Sequence, residues 1–375
     1  MPDGHSVAVL VAPVGFRGRR RRERASKGWS DVFAASKFFS DRRKAFQPSR
    51  GTMVDSPSES VDSQPALRAR ATYDLGKTAI FACAADPRAQ YCLYVPPCVA
   101  DGRSVDLLVA VHGTGRTSFL DFRDGFAEFG RWHDCAVLCP VFPIGMGGGS
   151  NRSGYKYLAE GDIRYDRLVL AMVAETAAKY GQDWSRFAMF GFSGGGHFTH
   201  RFAILHPETL WAASIGAPGS VTLLNPAKDW WVGIRDIADR FGVTFDAAAL
   251  ARVPVQMVVG DADLETWEIT HTPGSPHWMD GANDAGRTRP ERLAALSRSF
   301  AEAGVAVRFD LALGVAHDRL KILDRVKDFL SDALVKKRGH GRRQEDAVRQ
   351  SEEHGASSRR GHTSVEPCVR AEGGR

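Results

Sequence analysis

The sequence predicts an α/β protein built on a mostly parallel sheet covered by helices on both faces. Three observations carry that expectation. Apolar runs of strand length at 105–111, 136–142, 187–190 and 253–259 are continuous instead of alternating, as strands buried on both faces are. Stretches with apolar residues at helical spacing separate them, the alternation that builds a parallel sheet through crossover helices. Four residues of chemical interest, His112, Ser193, Asp263 and His317, each follow such a run, and sites in sheets of this kind gather at the carboxyl ends of strands.

Taken in order, structure is expected from about Ala71. Residues 79–84 and 90–95 read as two strands of an antiparallel hairpin around Asp86-Pro87, and Pro96-Pro97 stops the second because proline cannot donate to a ladder. Strand 105–111 ends in His112-Gly113-Thr114-Gly115. A helix over 119–133, a strand over 136–142 and a glycine-rich loop over 145–154 follow. Asp162 is expected to cap the next helix, in which Tyr165, Leu168, Val169, Met172, Val173, Thr176 and Tyr180 share a face and Gly181 ends the run.

The stretch 187–200, FAMFGFSGGGHFTH, then reads as strand, sharp turn and helix with Ser193 at the tip, and Phe198, Phe202 and Leu205 continue at helical spacing. A G-x-S-x-G turn holds its serine in a strained backbone conformation that projects the hydroxyl beyond the sheet. The flanking glycines let strand and helix approach, where a Cβ would clash. Strands over 211–215, 253–259 and 305–313, a helix from Pro290 to about Ala303 and a final helix over 318–335 complete the domain. Two excursions, 218–252 and 264–287, interrupt it and carry Trp230, Trp231, Trp267 and Trp278.

Composition bounds the function. The apolar content of 43% supports a large core, and no apolar run approaches the roughly 20 residues of a spanning helix. The run 7–16 is broken by Pro13 and Gly15 and followed by basic residues where a secretion signal has them in front, so a cytoplasmic location is expected. Six sparse cysteines (Cys83, Cys92, Cys98, Cys135, Cys139, Cys368) read as thiols, and no cysteine or histidine spacing calls for a metal. His197 and His200 stand at i, i+3 spacing without a third ligand in view. Of the net charge of +6, residues 1–65 contribute +5 and residues 336–375 contribute +4, leaving −3 on 66–335. A nucleic-acid-binding domain would concentrate that charge on itself, so none is expected of the core. The expected organisation is a disordered basic tail over 1–65, a catalytic domain over 66–335 and a disordered charged tail over 336–375. The Arg run 17–24 is a candidate contact for nucleic acid or a membrane surface, but reads better as a solvated tail, and Met53 is an alternative start.

The elbow, the His-Gly turn after an early strand and the chain order Ser, Asp, His resemble the α/β-hydrolases over about residues 71–335, and the FGFSGGG elbow with the solitary HGTG turn resembles the esterase and polyhydroxybutyrate-depolymerase-like branch. The secreted depolymerases have signal peptides and substrate-binding domains that this chain does not show, which counts against polymer degradation. The resemblance implies Ser193 as nucleophile, His317 as its base, and backbone N–H groups of Thr114 and Gly194 as the oxyanion hole. It points to Asp263, three residues after Gly260, as the acid. Asp261 stays open as the alternative, otherwise a loop brace. His112 is expected to brace its turn, and His271 and His277 to line the pocket. Trp230, Trp231, Trp267 and Trp278 are expected in the pocket wall, favouring an apolar or aromatic ester. The expected function is hydrolysis of a small-molecule carboxylic ester through an acyl-enzyme, without a cofactor. An amidase or peptidase using the same triad stays open, as does a catalytically silent binding module of the same fold.

Overall fold

The computed structural model describes residues 64–339. The Arg run, Met53, Cys368 and nearly all of both expected tails lie outside the described residues. In chain order the strands are β1 (Gly76–Lys77), β2 (Phe81–Ala82), β3 (Gln90–Val95), β4 (Asp106–Val111), β5 (Cys135–Val141), β6 (Ala159–Glu160), β7 (Ile163–Arg164), β8 (Phe187–Phe192), β9 (Leu210–Gly216), β10 (Val255–Gly260) and β11 (Val307–Ala312). Nine of these form one sheet in the order β1-β3-β5-β4-β8-β9-β10-β11, with β2 also paired to β3, while β6 and β7 form a separate two-stranded ribbon. β3 runs antiparallel to β1, β2 and β5, and every pairing from β5 through β11 is parallel.

The continuous apolar runs have the burial they imply. All residues of β5, β8, β9 and β10 are buried, and β4 is buried beyond Asp106. Phe190 of β8 meets Phe122 at 5.0 Å and Phe126 at 5.4 Å between ring centroids, both edge-on. Burying a side chain of that size contributes about 1.5–3 kcal/mol. β11 is the sheet edge, and there Phe309 and Leu311 are partly exposed.

The helices are α1 (Gln64–Tyr73), α2 (Ser118–Gly125), α3 (Ala127–Trp132), α4 (Tyr165–Tyr180), α5 (Gly194–Leu205), α6 (Ile237–Phe241), α7 (Ala247–Ala251), α8 (Arg289–Glu302) and α9 over 323–339. Each residue expected on the apolar face of α4 is buried, and Gly181 closes the helix in the left-handed conformation.

Several boundaries differ from the expectation. The helix expected over 119–133 is two helices that meet at Phe126 (φ −97°, ψ −1°). Asp162 is not a cap: residues 159–164 close a small β6–β7 ribbon, and Arg164 precedes α4. Among the described residues, regular structure already includes α1, ahead of Ala71. The final helix starts at 323 instead of 318 and continues past 335 to 339, where Lys337 and Arg338 pair with Asp106 at the start of β4. Among the described residues, no helix is long and apolar enough to cross a membrane.

Candidate active site

Ser193 stands between β8 and α5 with φ +57° and ψ −115°, a backbone region that a non-glycine residue occupies only under local constraint. The constraint is visible on both sides. Its N–H donates to Gly216 O at 2.8 Å, and its carbonyl accepts the first helical bond from His197 N at 3.0 Å. Gly191 and Gly195 make the turn passable: a Cβ on Gly191 would collide with the Gly195 carbonyl, and one on Gly195 with Val111 O at the end of β4.

The two turns that flank Ser193 come together. A Cβ on Gly194 would collide with Tyr155 Oη and lie 2.9 Å from Thr114 N, so the start of α5 packs closely against the Thr114 turn. His112 fixes the Thr114 turn as expected: Nδ1 donates to Gly113 O at 2.9 Å, while Nε2 accepts from Phe142 N at 3.0 Å. Complete burial pushes this imidazole down to about 3, which keeps it neutral and locks that tautomer.

Asp263 and His317 follow β10 and β11, the adjacent parallel strands. His317 Nδ1 lies 2.6 Å from Asp263 Oδ2, and its ring packs on Phe192, the residue before Ser193, with centroids 4.7 Å apart. Asp261 does something else: its Oδ1 accepts from Gly314 N at 2.7 Å and braces the loop leading to His317. The two aspartates thus have different partners, Asp263 the His317 ring and Asp261 the Gly314 amide.

Ser193 opens into a cavity of about 80 Å³ lined by Thr114, Lys156, His197, Glu268, Ile269, His271, His277 and Arg289, among others. His271 and His277 are where they were expected, but the tryptophans are not. Trp230 and Trp231 are buried and border a second cavity beside Tyr157 and His277, because their indoles reach inward to bond Tyr157 O and His277 O. Trp267 is 78% exposed and Trp278 45% exposed. The wall of the Ser193 cavity carries the charged side chains Lys156, Glu268 and Arg289, with Tyr157 and three histidines as its aromatic members.

The three charged residues of that wall, Arg289, Glu268 and Lys156, escaped the sequence reading. Arg289 is buried and holds Asp263 Oδ1 through Nη1 at 3.1 Å and Glu268 Oε2 through Nη2 at 2.8 Å. A signal was available: an arginine in the first turn of a helix runs against the helix dipole, which suggests that a tertiary partner holds it there. Thr288 and Glu291 form a capping box around it. Lys156, between two buried tyrosines, is pushed down to about 8, mainly by burial, with Glu268 opposing and Arg116, Arg201 and Arg289 adding to the fall. His197 accepts from Gly219 N at 2.7 Å and bonds Ser220 Oγ, while His200 bonds Gly196 O and accepts from Thr222 N. Both rings are engaged by the loop after β9, so their i, i+3 spacing serves packing. Among the described residues, no group of three His, Cys, Asp or Glu could hold a metal.

No family model and no curated protein matches the chain. Solved structures do. A poly(3-hydroxybutyrate) depolymerase from Bordetella parapertussis aligns with a TM-score of 0.53 at 23% identity, over 67% of this chain and 88% of its own. Poly(aspartic acid) hydrolase-1 from Sphingomonas sp. KT-1 aligns with a TM-score of 0.50 at 20% identity, over 64% and 92%. With the strand order, the serine turn and the His317–Asp263 contact at adjacent strand ends, the chain has the α/β-hydrolase fold.

Proposed function

We propose that this protein is a serine hydrolase that cleaves carboxylic esters through an acyl-enzyme on Ser193. The observation that carries the reading is the 2.6 Å contact between His317 and Asp263 at the strand ends beside the strained Ser193 turn. A serine hydroxyl is a weak nucleophile until a base takes its proton. His317 Nε2 is that base, and the Nδ1–H it then directs at Asp263 stabilises the imidazolium. Ser193 Oγ attacks the carbonyl carbon, the carbonyl oxygen becomes an oxyanion, and the N–H groups of Gly194 and Thr114 donate to it. In related chemistry one such donor is worth about 2.7–4 kcal/mol at the transition state. His317 returns the proton to the departing alcohol, and a water activated by the same imidazole releases the acid.

The likeness in fold to a depolymerase and a poly(aspartic acid) hydrolase supports hydrolytic chemistry without naming a substrate. No cofactor enters these steps, and the sparse thiols support a cytoplasmic setting. The test is hydrolysis of a 4-nitrophenyl ester series by the wild-type protein and by Ser193→Ala. Turnover that vanishes in the variant is expected. Undiminished turnover in Ser193→Ala contradicts the reading, and turnover of matched anilides but not esters transfers it to amide substrates.

A further inference from the structure

The cavity beside Ser193 has an excess of positive charge. Two carboxylates beside it, Asp263 and Glu268, are both held by a single cation, Arg289. Three other cations there make no ion pair among the described residues, although the Glu268 carboxylate favours the charged form of Lys156. Arg201 is fully buried, yet its guanidinium reaches Thr222 Oγ1 at 3.0 Å, Lys156 O at 2.6 Å and Ser220 Oγ at 3.3 Å, all neutral acceptors, and lies 4.6 Å over the Tyr157 ring. Arg292, also buried, donates to the carbonyls of Gly219, Ile269 and Gly286 and to Asn283 Oδ1. Lys156 lines the cavity itself and makes no ion pair among the described residues.

The surrounding imidazoles add no charge: burial pushes His271 down to about 4, His277 below its ordinary value and His197 well below it. The excess is also not a surplus of basic residues spilling inward, since residues 66–335 carry a net −3. Burying cations without counter-charges is costly, and in a low-dielectric enclosure their field is focused into the remaining open space. That space is the one Ser193 faces.

We propose that this cavity accepts a carboxylate carried by the substrate, with the Lys156 ammonium as its direct partner and Arg201 and Arg292 supplying the field behind it. The proposal rests on the serine hydrolase reading for the chemistry, but the anion site stands on its own geometry. A substrate of this class is an ester with a free carboxylate a few bonds from the scissile carbonyl, such as a half-ester of a dicarboxylic acid. Arg289 also lines the cavity, but Asp263 and Glu268 already balance its charge through Nη1 and Nη2, and only its Nε is left without a hydrogen-bond partner among the described residues.

The test compares mono-4-nitrophenyl adipate with methyl 4-nitrophenyl adipate, which differ only in the free carboxylate. The expected result is a kcat/KM roughly 10- to 100-fold higher for the half-ester, the range of a charge-assisted hydrogen bond. Lys156→Met should collapse that ratio toward one, mainly through KM, and Lys156→Arg should retain most of it. Because the readout is a ratio, a partly unfolded variant does not distort it. Calorimetric binding of adipate to Ser193→Ala, lost when Lys156→Met is added, tests the anion site without turnover. If neither ester is hydrolysed while adipate binds through Lys156, the hydrolase reading fails and the anion site stands. Equal turnover of both esters, with no Lys156-dependent adipate binding, overturns the proposal.

Discussion

Arg289 and Asp263 form a buried ion pair, Nη1 to Oδ1 at 3.1 Å, on the same carboxylate whose other oxygen meets His317 Nδ1 at 2.6 Å. One carboxylate thus serves two cationic or proton-bearing partners. Glu268 ties the far side of Arg289 to the rim of the cavity. Arg289 is therefore a positioning residue: it touches no reacting atom, but orients the carboxylate that orients the imidazole.

Arg289→Met should lower kcat/KM roughly 10- to 100-fold, the scale of an ångström-level misplacement of a catalytic group. It should also lower stability by about 3–5 kcal/mol, because Asp263 is left buried without its cation. A purely structural role would stop there. With the guanidinium gone, Asp263 loses the partner that orients it, so the loss should fall on kcat with KM nearly unchanged. A loss of stability with kcat unchanged in the folded fraction would confine Arg289 to folding.

The two aspartates after β10 should separate cleanly. Asp263→Asn is expected to lower kcat about 10⁴-fold, since an amide cannot stabilise the imidazolium and favours the wrong tautomer. Asp261→Asn should keep activity within about tenfold, because its amide oxygen can still accept from Gly314 N. A reversed order of the two effects would reassign the acid.

Acid stability follows from neutral buried histidines. His112 is pushed down to about 3 and His271 to about 4, and His197 and His200 lie well below the ordinary value, all chiefly through burial. In the unfolded chain each titrates near 6.5, so below that pH the unfolded state binds more protons. Stability is therefore fully present above about pH 6.5 and falls toward pH 4, by up to about 1.4 kcal/mol per pH unit for each histidine. Urea unfolding at pH 7, 6 and 5 checks this, and equal stability at the three values would contradict it.

Gly195→Ala tests the elbow. An alanine in a helix is ordinarily more favourable than glycine by about 1 kcal/mol. Here its Cβ would run into Val111 O, and Gly191 faces the Gly195 carbonyl in turn. A destabilisation of about 1–3 kcal/mol with loss of activity is expected in thermal unfolding and ester assays. A melting temperature at or above wild type would refute the close packing of β4, β8 and α5.

The sheet and the placement of Ser193, Asp263 and His317 were legible because their signals are local. Continuous apolar runs announce doubly buried strands, and glycines around Ser193 announce a turn in which Cβ atoms have no room. The cavity wall was not legible, because burial of charge is decided by distant packing. Nothing near Lys156 says that Arg201, 45 residues later, will bond its carbonyl. Nothing near Trp230 and Trp231 says that their indole N–H groups will find Tyr157 O and His277 O, drawing both rings away from the Ser193 cavity. Tryptophans in the two excursions suggested an apolar pocket, whereas Lys156, Glu268 and Arg289, from three separate parts of the chain, line it.

The most direct measurement is labelling with a fluorophosphonate, which phosphonylates a serine only where a base and an oxyanion hole activate it. The account predicts one equivalent of label per chain, found by peptide mass spectrometry on Ser193, absent in Ser193→Ala and strongly slowed in Asp263→Asn. No label on a folded protein, or a label elsewhere that survives Ser193→Ala, would contradict it.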